Sequence, residues 1–270
     1  MENPDELRLS VSKTKCFSQC KKQFEFSYIL KLPKKDEDYH IFGKFCHKAL
    51  EDFHQAYING STDPFNLQMG RAFKSAVVEF KDVLTKEMKK ECFDLINKYL
   101  KIISKDKDNH LSIPVLAVEK TFRFNISDNV VLNGMIDRVQ IDPDGVLHVG
   151  DYKTTKNKKY LKNDWFQLLT YAYIMYMEDP TLTKVRGSYI LLRHDFECIT
   201  TEFDLKDILS IKDKYLDYAD KMNSEKEYPT TPTALCGWCP YLEHCPDGQE
   251  KAEQFNAKRN ALPIYGEVKW

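Results

Sequence analysis

The 270-residue sequence predicts an α/β fold in which a helical N-terminal lobe precedes a mixed β-sheet. Apolar residues recur at helical spacing through much of the first 105 residues. From about residue 115 the pattern changes to short apolar or alternating runs, which are typical of strands, and one helical stretch at 163–177 interrupts them. Helices on both sides of strand-forming segments are the pattern of a sheet flanked by helices.

Composition describes an ordinary globular protein, with 42% hydrophobic and 30% charged residues. The net charge of -1 excludes a protein that is basic overall, so a nucleic-acid surface would have to be a local patch. No apolar run has the length of a membrane span, and the first ten residues lack the pattern of a secretory signal. We therefore expect a cytoplasmic protein that does not associate with a membrane.

The helical lobe is predicted to contain four helices. The first covers residues 13–29, with Ser12 as its N-cap. The second has a buried stripe that runs from Phe42 to Tyr57 and carries His47 beside it. A histidine in such a position is usually structural, and a ligand is the alternative. Two further helices are predicted at 65–88 and 90–105.

A strand at 115–124 opens the sheet, and a hairpin follows with strands at 130–141 and 146–153 around a turn that contains Pro and Gly. Pairing Ile141 with Val146 would place Asp137 opposite Gly150 and diagonal to Asp151. Asp151 and Lys153 share a face because they are two residues apart.

Two carboxylates and an ammonium group are thus expected to meet on one patch of sheet. Glu119, on the preceding strand, is expected to face the same patch. Burying such groups requires a compensating partner, which would be either a local ion pair or a metal ion. The basic stretch at 154–162 lies beside them and suits a phosphate backbone, although a solvated loop is the simpler interpretation.

The remaining segments support this patch and complete the sheet. On the predicted helix 163–177, Gln167 and Tyr171 lie four residues apart and share a face. Two further strands and a charged helix are predicted at 187–193, 198–203 and 205–223.

Three of the eight cysteines form a metal-binding signature near the C-terminus. Cys236 and Cys239 are a CxxC pair, and Cys245 follows in the same Pro- and Gly-containing loop. Three thiolates leave one position of a tetrahedral site to be filled. A distant cysteine could fill it, and His244 is a competitor within the loop.

These motifs, taken in order, resemble the RecB-like branch of the PD-(D/E)XK nucleases, which includes the AddB nuclease and the iron–sulfur nuclease of CRISPR spacer acquisition. Each motif is weak by itself, but their order along nearly the whole chain is specific. The matching segments are LSVSKTKCFSQCKKQFEF, GKFCHKALEDFH, GMIDRV, GDYKTT, QLLTY and CGWCPYLEHC.

The resemblance implies a restriction-endonuclease-like core at 111–223, a helical lobe at 1–110 and a cluster-binding segment at 224–270, all in one nuclease domain. It implies a metal site for Mn²⁺ or Mg²⁺ and a [4Fe–4S] cluster, with Zn²⁺ as the alternative to the cluster. It also implies catalytic roles for four residues and support or DNA binding for three. The assigned residues are His47, Asp137, Asp151 and the Tyr152 carbonyl for the metal; His47, Asp137, Asp151 and Lys153 for catalysis; Gln167, Tyr171 and Glu119 for support; and Cys20, Cys236, Cys239 and Cys245 for the cluster.

Cys20 is the cysteine that aligns with the family pattern, but Lys21 follows it where the family usually has proline, so Cys16 remains an alternative. The implied function is a DNA exonuclease that prefers single-stranded DNA and works with a helicase, recombination or adaptation partner. The alternatives are a non-catalytic nucleic-acid-binding subunit of the same fold and a zinc-stabilised domain of unrelated function.

Overall fold

The computed structural model describes residues 6–34, 38–106, 109–158, 161 and 164–261. Lys159, Tyr160 and Lys162 of the predicted basic stretch lie outside these residues. The described residues form two compact units. Those within Met1–Val11 and Asp38–Ala219 form unit 1, and those within Ser12–Glu37 and Asp220–Trp270 form unit 2.

A mixed six-stranded sheet is the centre of unit 1. Its order is β1-β3-β4-β5-β6, and β2 pairs with β3 off this path. The β1–β3 and β4–β5 pairs are parallel, and the other pairs are antiparallel. The strands are β1 (Leu7–Leu9), β2 (Val115–Ser127), β3 (Val130–Ile141), β4 (Leu147–Lys153), β5 (Lys184–Leu191) and β6 (Glu197–Asp204).

The sheet and its flanking helices confirm the predicted α/β class and agree with a restriction-endonuclease-like core. Strand β1 was not predicted. Three residues are too few for the alternation that identifies a strand, and β1 forms because it pairs with the buried end of β3.

Three helices form the helical lobe of unit 1 and share one apolar core with the sheet residues Tyr152 and Ile190. They are α3 (Asp38–Ile58), α4 (Phe65–Glu79) and α5 (Lys86–Lys105). Helix α4 ends well before residue 88, because Thr85 caps the next helix by accepting a hydrogen bond from the Met88 amide. Tyr57, expected in the buried stripe of α3, is 37% exposed.

The predicted first helix at 13–29 is broken at Cys20. Helix α1 (Val11–Gln19) and helix α2 (Lys21–Phe24) flank this residue, whose backbone is extended, and a π-helical turn follows. Ser12 lies inside α1 and is not its N-cap. The rings of Phe17 and Phe24 meet edge to face at 5.0 Å, so aromatic packing overrides the continuous helix that periodicity predicts.

The register of the central hairpin differs by one residue from the predicted one. The Asp142 amide donates to the Val146 carbonyl at 3.0 Å, which lengthens the turn and pairs Ile141 with Leu147. Arg138, and not Asp137, therefore faces Gly150. A one-residue shift exchanges the faces of a strand. Arg138 consequently lies on the same face as Gly150 and Tyr152.

Further helices complete the two units. Helix α6 (Phe166–Glu178) packs on the sheet in unit 1, and α7 (Leu205–Ser224) follows β6. Helix α8 (Pro246–Ala261), which was not predicted, begins directly after Cys245 in unit 2. None of the helices formed by the described residues is both long and apolar enough to cross a membrane.

Gly187 allows α6 to approach β5, and replacing it should destabilise the fold. A Cβ atom at this position would lie 2.9 Å from Phe203 Cε2 and 3.1 Å from Leu168 Cβ. We expect Gly187→Ala to lower the free energy of unfolding by ~1–3 kcal/mol in urea titrations. Gly70→Ala in α4, where a Cβ meets nothing within 4 Å, is the control and should stabilise by ~0.5–1 kcal/mol. Equal stability of the two variants would contradict this packing.

Candidate active site

Strands β3 and β4 separate at the point where the acidic residues lie. Their pairing ends at Arg138 and Gly150, and Asp137 lies immediately beyond this last pair. There the Asp137 side chain takes the place of a backbone partner, because its Oδ2 accepts a hydrogen bond of 2.9 Å from the Tyr152 amide. Asp137 and Asp151 are both buried. The separation of two paired strands thus holds a carboxylate in the interior.

His47 and Glu119 meet Asp137 on its other side. The Nδ1 atom of His47 lies 3.4 Å from Asp137 Oδ2 and 4.0 Å from Glu119 Oε1. The three side chains each offer a ligand atom within 4.8 Å of the others, a spacing that suits one metal ion. Glu119, which the sequence predicts on the same patch as the aspartates and assigns a supporting role, lies beside His47 and Asp137.

Glu119 has an unusual backbone conformation for a residue within a strand. Its φ is +44°, in the left-handed region, between two residues that pair regularly with β3. Non-glycine residues adopt this conformation at a cost of ~1–3 kcal/mol, and such strain is concentrated at functional sites. Residue type and periodicity carry no sign of this distortion, so the sequence could not have revealed it.

The acidic groups are held in an environment that favours their protonated forms. Burial raises the pKa of Asp137 well above its usual range, and the charge of Asp151 raises it further. Burial and the charge of Asp137 likewise raise the pKa of Glu119 to about 7. Carboxylates that repel one another in a buried site are the arrangement that a bound cation stabilises.

Asp151, Lys153, Gln167 and Tyr171 form a hydrogen-bonded group beside this cluster. Gln167 Nε2 donates to Asp151 Oδ1 at 2.5 Å, and the Tyr171 hydroxyl donates to the same oxygen at 3.2 Å. Lys153 Nζ donates to Gln167 Oε1 at 2.9 Å and lies 2.7 Å from Asp151 Oδ2. The structure thus brings the pair predicted to share a strand face, Asp151 and Lys153, into contact with the pair predicted to share a helix face, Gln167 and Tyr171.

Lys153 carries its charge at neutral pH. Burial lowers the pKa of its ammonium group, but the charge and hydrogen bond of Asp151, together with the charges of Asp137 and Asp164, outweigh burial, and the net shift is upward. An ammonium group with a raised pKa is a poor general base and an effective source of positive charge. Lys153 is therefore suited to stabilising an anion.

The cysteines of the predicted cluster all lie in unit 2. Burial raises the pKa of Cys239, and negative charge on Cys20, Cys236 and Cys245 raises it further. Cys245 interacts in the same way with Cys20 and Cys236. Burial, and to a smaller extent electrostatic repulsion from Cys20 and Cys239, raises the pKa of Cys16 to about 12. Five thiols from two distant segments of the chain are therefore within electrostatic range of one another, but among the described residues no three of their sulfur atoms lie within 4.8 Å of one another.

Both sites fit metal ions by their donor chemistry. In unit 1, Asp151 is only 2% exposed, and among the described residues its Oδ2 atom has no hydrogen-bond partner besides the adjacent Lys153 ammonium. Buried carboxylate oxygens with free lone pairs, together with an imidazole nitrogen, suit Mg²⁺ or Mn²⁺. In unit 2, clustered thiols suit zinc or an iron–sulfur cluster.

A second group of polar side chains has the geometry of a catalytic triad but cannot act as one. His148 Nδ1 lies 2.9 Å from Asp142 Oδ2, and its Nε2 lies 2.7 Å from Ser188 Oγ. Ser188 is fully buried and also bonds Thr200, so no substrate reaches its hydroxyl. The hydrogen bonds of this group satisfy polar residues between the sheet and the helical lobe.

Comparison with known proteins identifies the family to which this chain belongs. The family model of the PD-(D/E)XK nuclease superfamily matches residues 8–246. A search of curated proteins finds no match.

Solved structures show similarity at low sequence identity. A candidate exonuclease from Eubacterium rectale is 11% identical and has a TM-score of 0.50, with 87% of each chain covered. The protein SSO0001 is 16% identical with a TM-score of 0.40, over 91% of this chain and 88% of that one.

The raised pKa of Glu119 predicts how stability depends on pH when metal is absent. In EDTA, a carboxyl group whose pKa rises from 4.5 to about 7 on folding contributes stability at low pH that is lost as pH rises through about 7. We expect Glu119→Gln to remove on the order of 1–3 kcal/mol of this decline in urea titrations at pH 4.5 and 7.5. Glu87→Gln, on the exposed face of α5, should retain the wild-type dependence of stability on pH. The same pH dependence in Glu119→Gln as in Glu87→Gln would contradict the assignment.

Proposed function

The chain belongs to the PD-(D/E)XK nuclease superfamily, and from this premise we propose that it is a metal-dependent DNA exonuclease of the RecB-like branch. The observation that carries the proposal is the cluster of Asp137, Glu119 and His47 beside the Asp151–Lys153 pair. Such a cluster combines cation ligands with a positive charge for an anionic substrate. The six motifs found in order along the sequence support the branch.

The residues that would hold the metal are Asp137, Asp151 and His47, with Glu119 as an added candidate. The Tyr152 carbonyl, which the resemblance assigns to the metal, accepts a hydrogen bond from His47. Carboxylates favour Mg²⁺, and the imidazole shifts the preference toward Mn²⁺. When bound, the ion would polarise a phosphoryl oxygen and lower the pKa of a water molecule, which are the two demands of phosphodiester hydrolysis.

The other residues orient groups around the reacting phosphate. Lys153 would stabilise the negative charge that develops on the phosphoryl oxygens or position the attacking water. Gln167 donates a hydrogen bond to Asp151 and accepts one from Lys153, so it fixes the distance between these two residues. Tyr171 donates to Asp151 and accepts from Gln167, which completes the support on the side of α6.

The substrate form and the pathway come from the resemblance. We propose single-stranded DNA as the preferred substrate and a helicase, recombination or adaptation partner as the source of unwound strands. The pathway would be recombination, repair, replication or CRISPR adaptation. The exposed Lys156 and the half-buried Lys158 follow the active-site lysine in the chain and support contact with a phosphate backbone.

We propose that unit 2 binds a [4Fe–4S] cluster through Cys20, Cys236, Cys239 and Cys245, with zinc as the alternative. Cys20 is supported over Cys16 because it is within electrostatic range of both Cys239 and Cys245. The extended backbone at Cys20 also interrupts the helix at this cysteine. The cluster would join distant parts of the chain, and closing a long loop restricts the unfolded state.

Nuclease activity should depend on Mn²⁺ or Mg²⁺ and on Asp151. We expect the purified protein to degrade linear single-stranded DNA, and Asp151→Asn to reduce the rate by about three orders of magnitude because it removes both a metal ligand and the Lys153 partner. Asp144→Asn, in the exposed hairpin turn, is the matched control and should retain the wild-type rate. Release of labelled nucleotides on gels measures both.

Circular single-stranded DNA distinguishes an exonuclease from an endonuclease, because a circle has no end. An exonuclease leaves the circle intact and degrades the linear form. DNA binding without cleavage under either metal would instead assign the chain to non-catalytic subunits of this fold, and equal rates for Asp151→Asn and the wild type would identify a contaminant.

The cluster should be visible in protein purified without oxygen. We expect absorption near ~400 nm and bound iron, with loss of both in Cys20→Ser and retention of both in Cys16→Ser. The opposite pattern would make Cys16 the ligand. A colourless protein that contains zinc and no iron would replace the iron–sulfur cluster by a zinc site.

A further inference from the structure

We propose that Arg193 is a positioning residue of the active site, which holds the end of β4 so that Lys153 keeps its place beside Asp151. The inference deepens the proposed function and rests on it. It assigns Arg193 no contact with the metal or the DNA. Arg193 acts instead through the carbonyl group of Thr154, the residue directly after the active-site lysine.

Strands β4 and β5 end together at the active site. Lys153 and Leu191 are the last residues of the two strands and are paired with each other. Beyond this pair the backbone ladder no longer restrains the chain. There the Arg193 Nη1 atom donates a hydrogen bond of 2.6 Å to the Thr154 carbonyl oxygen. This bond continues the connection between the two strands past their last backbone pair.

The guanidinium group of Arg193 is held by two helices of the lobe. Its Nε and Nη2 atoms donate to the two carboxylate oxygens of Glu91 in α5, at 2.6 and 3.1 Å. Its Cζ atom lies 4.3 Å from the centroid of the Phe42 ring in α3. A bidentate carboxylate fixes the orientation of the guanidinium plane, and an aromatic face adds attraction. Arg193 therefore connects the end of β4 to both helices.

The turn that carries Arg193 has a strained backbone. Asp195 and Phe196 follow it with φ values of +54° and +59°, in the left-handed region. Bulky residues rarely adopt this conformation, and it persists only where surrounding contacts hold it. Here Phe196 is buried in the apolar core, and its amide donates to the Leu191 carbonyl at 3.0 Å. The position of Arg193 is thus fixed by the fold of the turn.

Helix α3 also contacts the end of β4 at Thr154. A Cβ atom at Gly43 would lie 3.3 Å from Thr154 Oγ1, so the glycine allows a close approach. One helical turn further on, His47 Nε2 lies 2.9 Å from the Tyr152 carbonyl oxygen. Four helical residues span ~6 Å and two strand residues ~6.6 Å, so the two contacts match in spacing. Thr154 is held both by α3 and by Arg193.

Loss of this support should reduce the rate of hydrolysis more than the binding of DNA. Lys153 Nζ lies 2.7 Å from Asp151 Oδ2, and its value to the reaction depends on that position. A displacement of about 1 Å at an active site lowers rates by about 100-fold. The charge of Arg193 is paired with Glu91, so its removal takes no free cation from the substrate surface. The effect should therefore fall on kcat and not on KM.

Arg193→Gln and Arg186→Gln form a matched pair of variants. Arg186 lies seven residues earlier on β5, and its guanidinium group likewise bonds carboxylates, those of Asp144 and Glu202. It pairs with His148, near the start of β4 and away from the active site. We expect Arg193→Gln to lower kcat on linear single-stranded DNA by about 10–100-fold, with KM within about threefold. Arg186→Gln should also lower Tm but keep kcat within about twofold.

Glu91→Gln tests whether the carboxylate acts through Arg193. Alone it should lower kcat by less than Arg193→Gln does, because the guanidinium group remains but is less well oriented. In the Arg193→Gln background it should have no further effect. Losses that multiply in the double variant would show that Glu91 acts independently and would contradict this part of the inference.

Hydrogen exchange measured by mass spectrometry gives a readout that does not depend on activity. In EDTA, peptides that cover residues 151–158 should exchange faster in Arg193→Gln than in the wild type, and at the wild-type rate in Arg186→Gln. Unchanged exchange in Arg193→Gln, or equal losses of kcat in the two arginine variants, would overturn the positioning role and leave the proposed function intact. A wild type that degrades no DNA with either metal would overturn both.

Discussion

Repulsion among buried carboxylates is the constraint on which the active-site architecture depends. Asp137 and Asp151 are buried where β3 and β4 separate, and Glu119 approaches from β2 in a strained conformation. The Tyr152 amide and the Lys153 ammonium group offset part of this repulsion. The pKa values of Asp137 and Glu119 remain raised, which is the unfavourable electrostatic state that a bound cation would relieve. A fold that holds these groups together without metal gives up some of its own stability for function.

The site exists only when several layers of unit 1 are packed. His47 comes from α3 on one face of the sheet, the carboxylates come from three neighbouring strands, and Gln167 with Tyr171 comes from α6. Residues on helices and strands hold a site more precisely than residues on loops. The buried side chain of Arg138 hydrogen-bonds to α3 and to the Tyr152 hydroxyl of β4, so packing of the lobe affects the metal ligands directly.

Sequence patterns predicted which residues belong to the candidate site more completely than they predicted strand register and backbone conformation around it. Strand periodicity places Asp151 and Lys153 on one face of β4, and helix periodicity places Gln167 and Tyr171 on one face of α6. In the structure the two pairs are hydrogen-bonded to each other. The partner of Gly150 depended on one hydrogen bond in the hairpin turn, which residue types do not specify. The break at Cys20 and the conformation of Glu119 arise from tertiary contacts. Local patterns carry no information on either.

Unit 2 consists of two segments that are distant in the sequence, and this affects when it can assemble during synthesis of the chain. Its two segments, Ser12–Glu37 and Asp220–Trp270, are separated by about 180 residues of unit 1. At ~5–20 residues per second, a ribosome needs on the order of 10–40 s to synthesise the intervening chain. During that interval the N-terminal cysteines have been synthesised but their C-terminal neighbours have not. Insertion of any cluster into unit 2 would therefore follow the synthesis of Cys245 and be a late event in biogenesis.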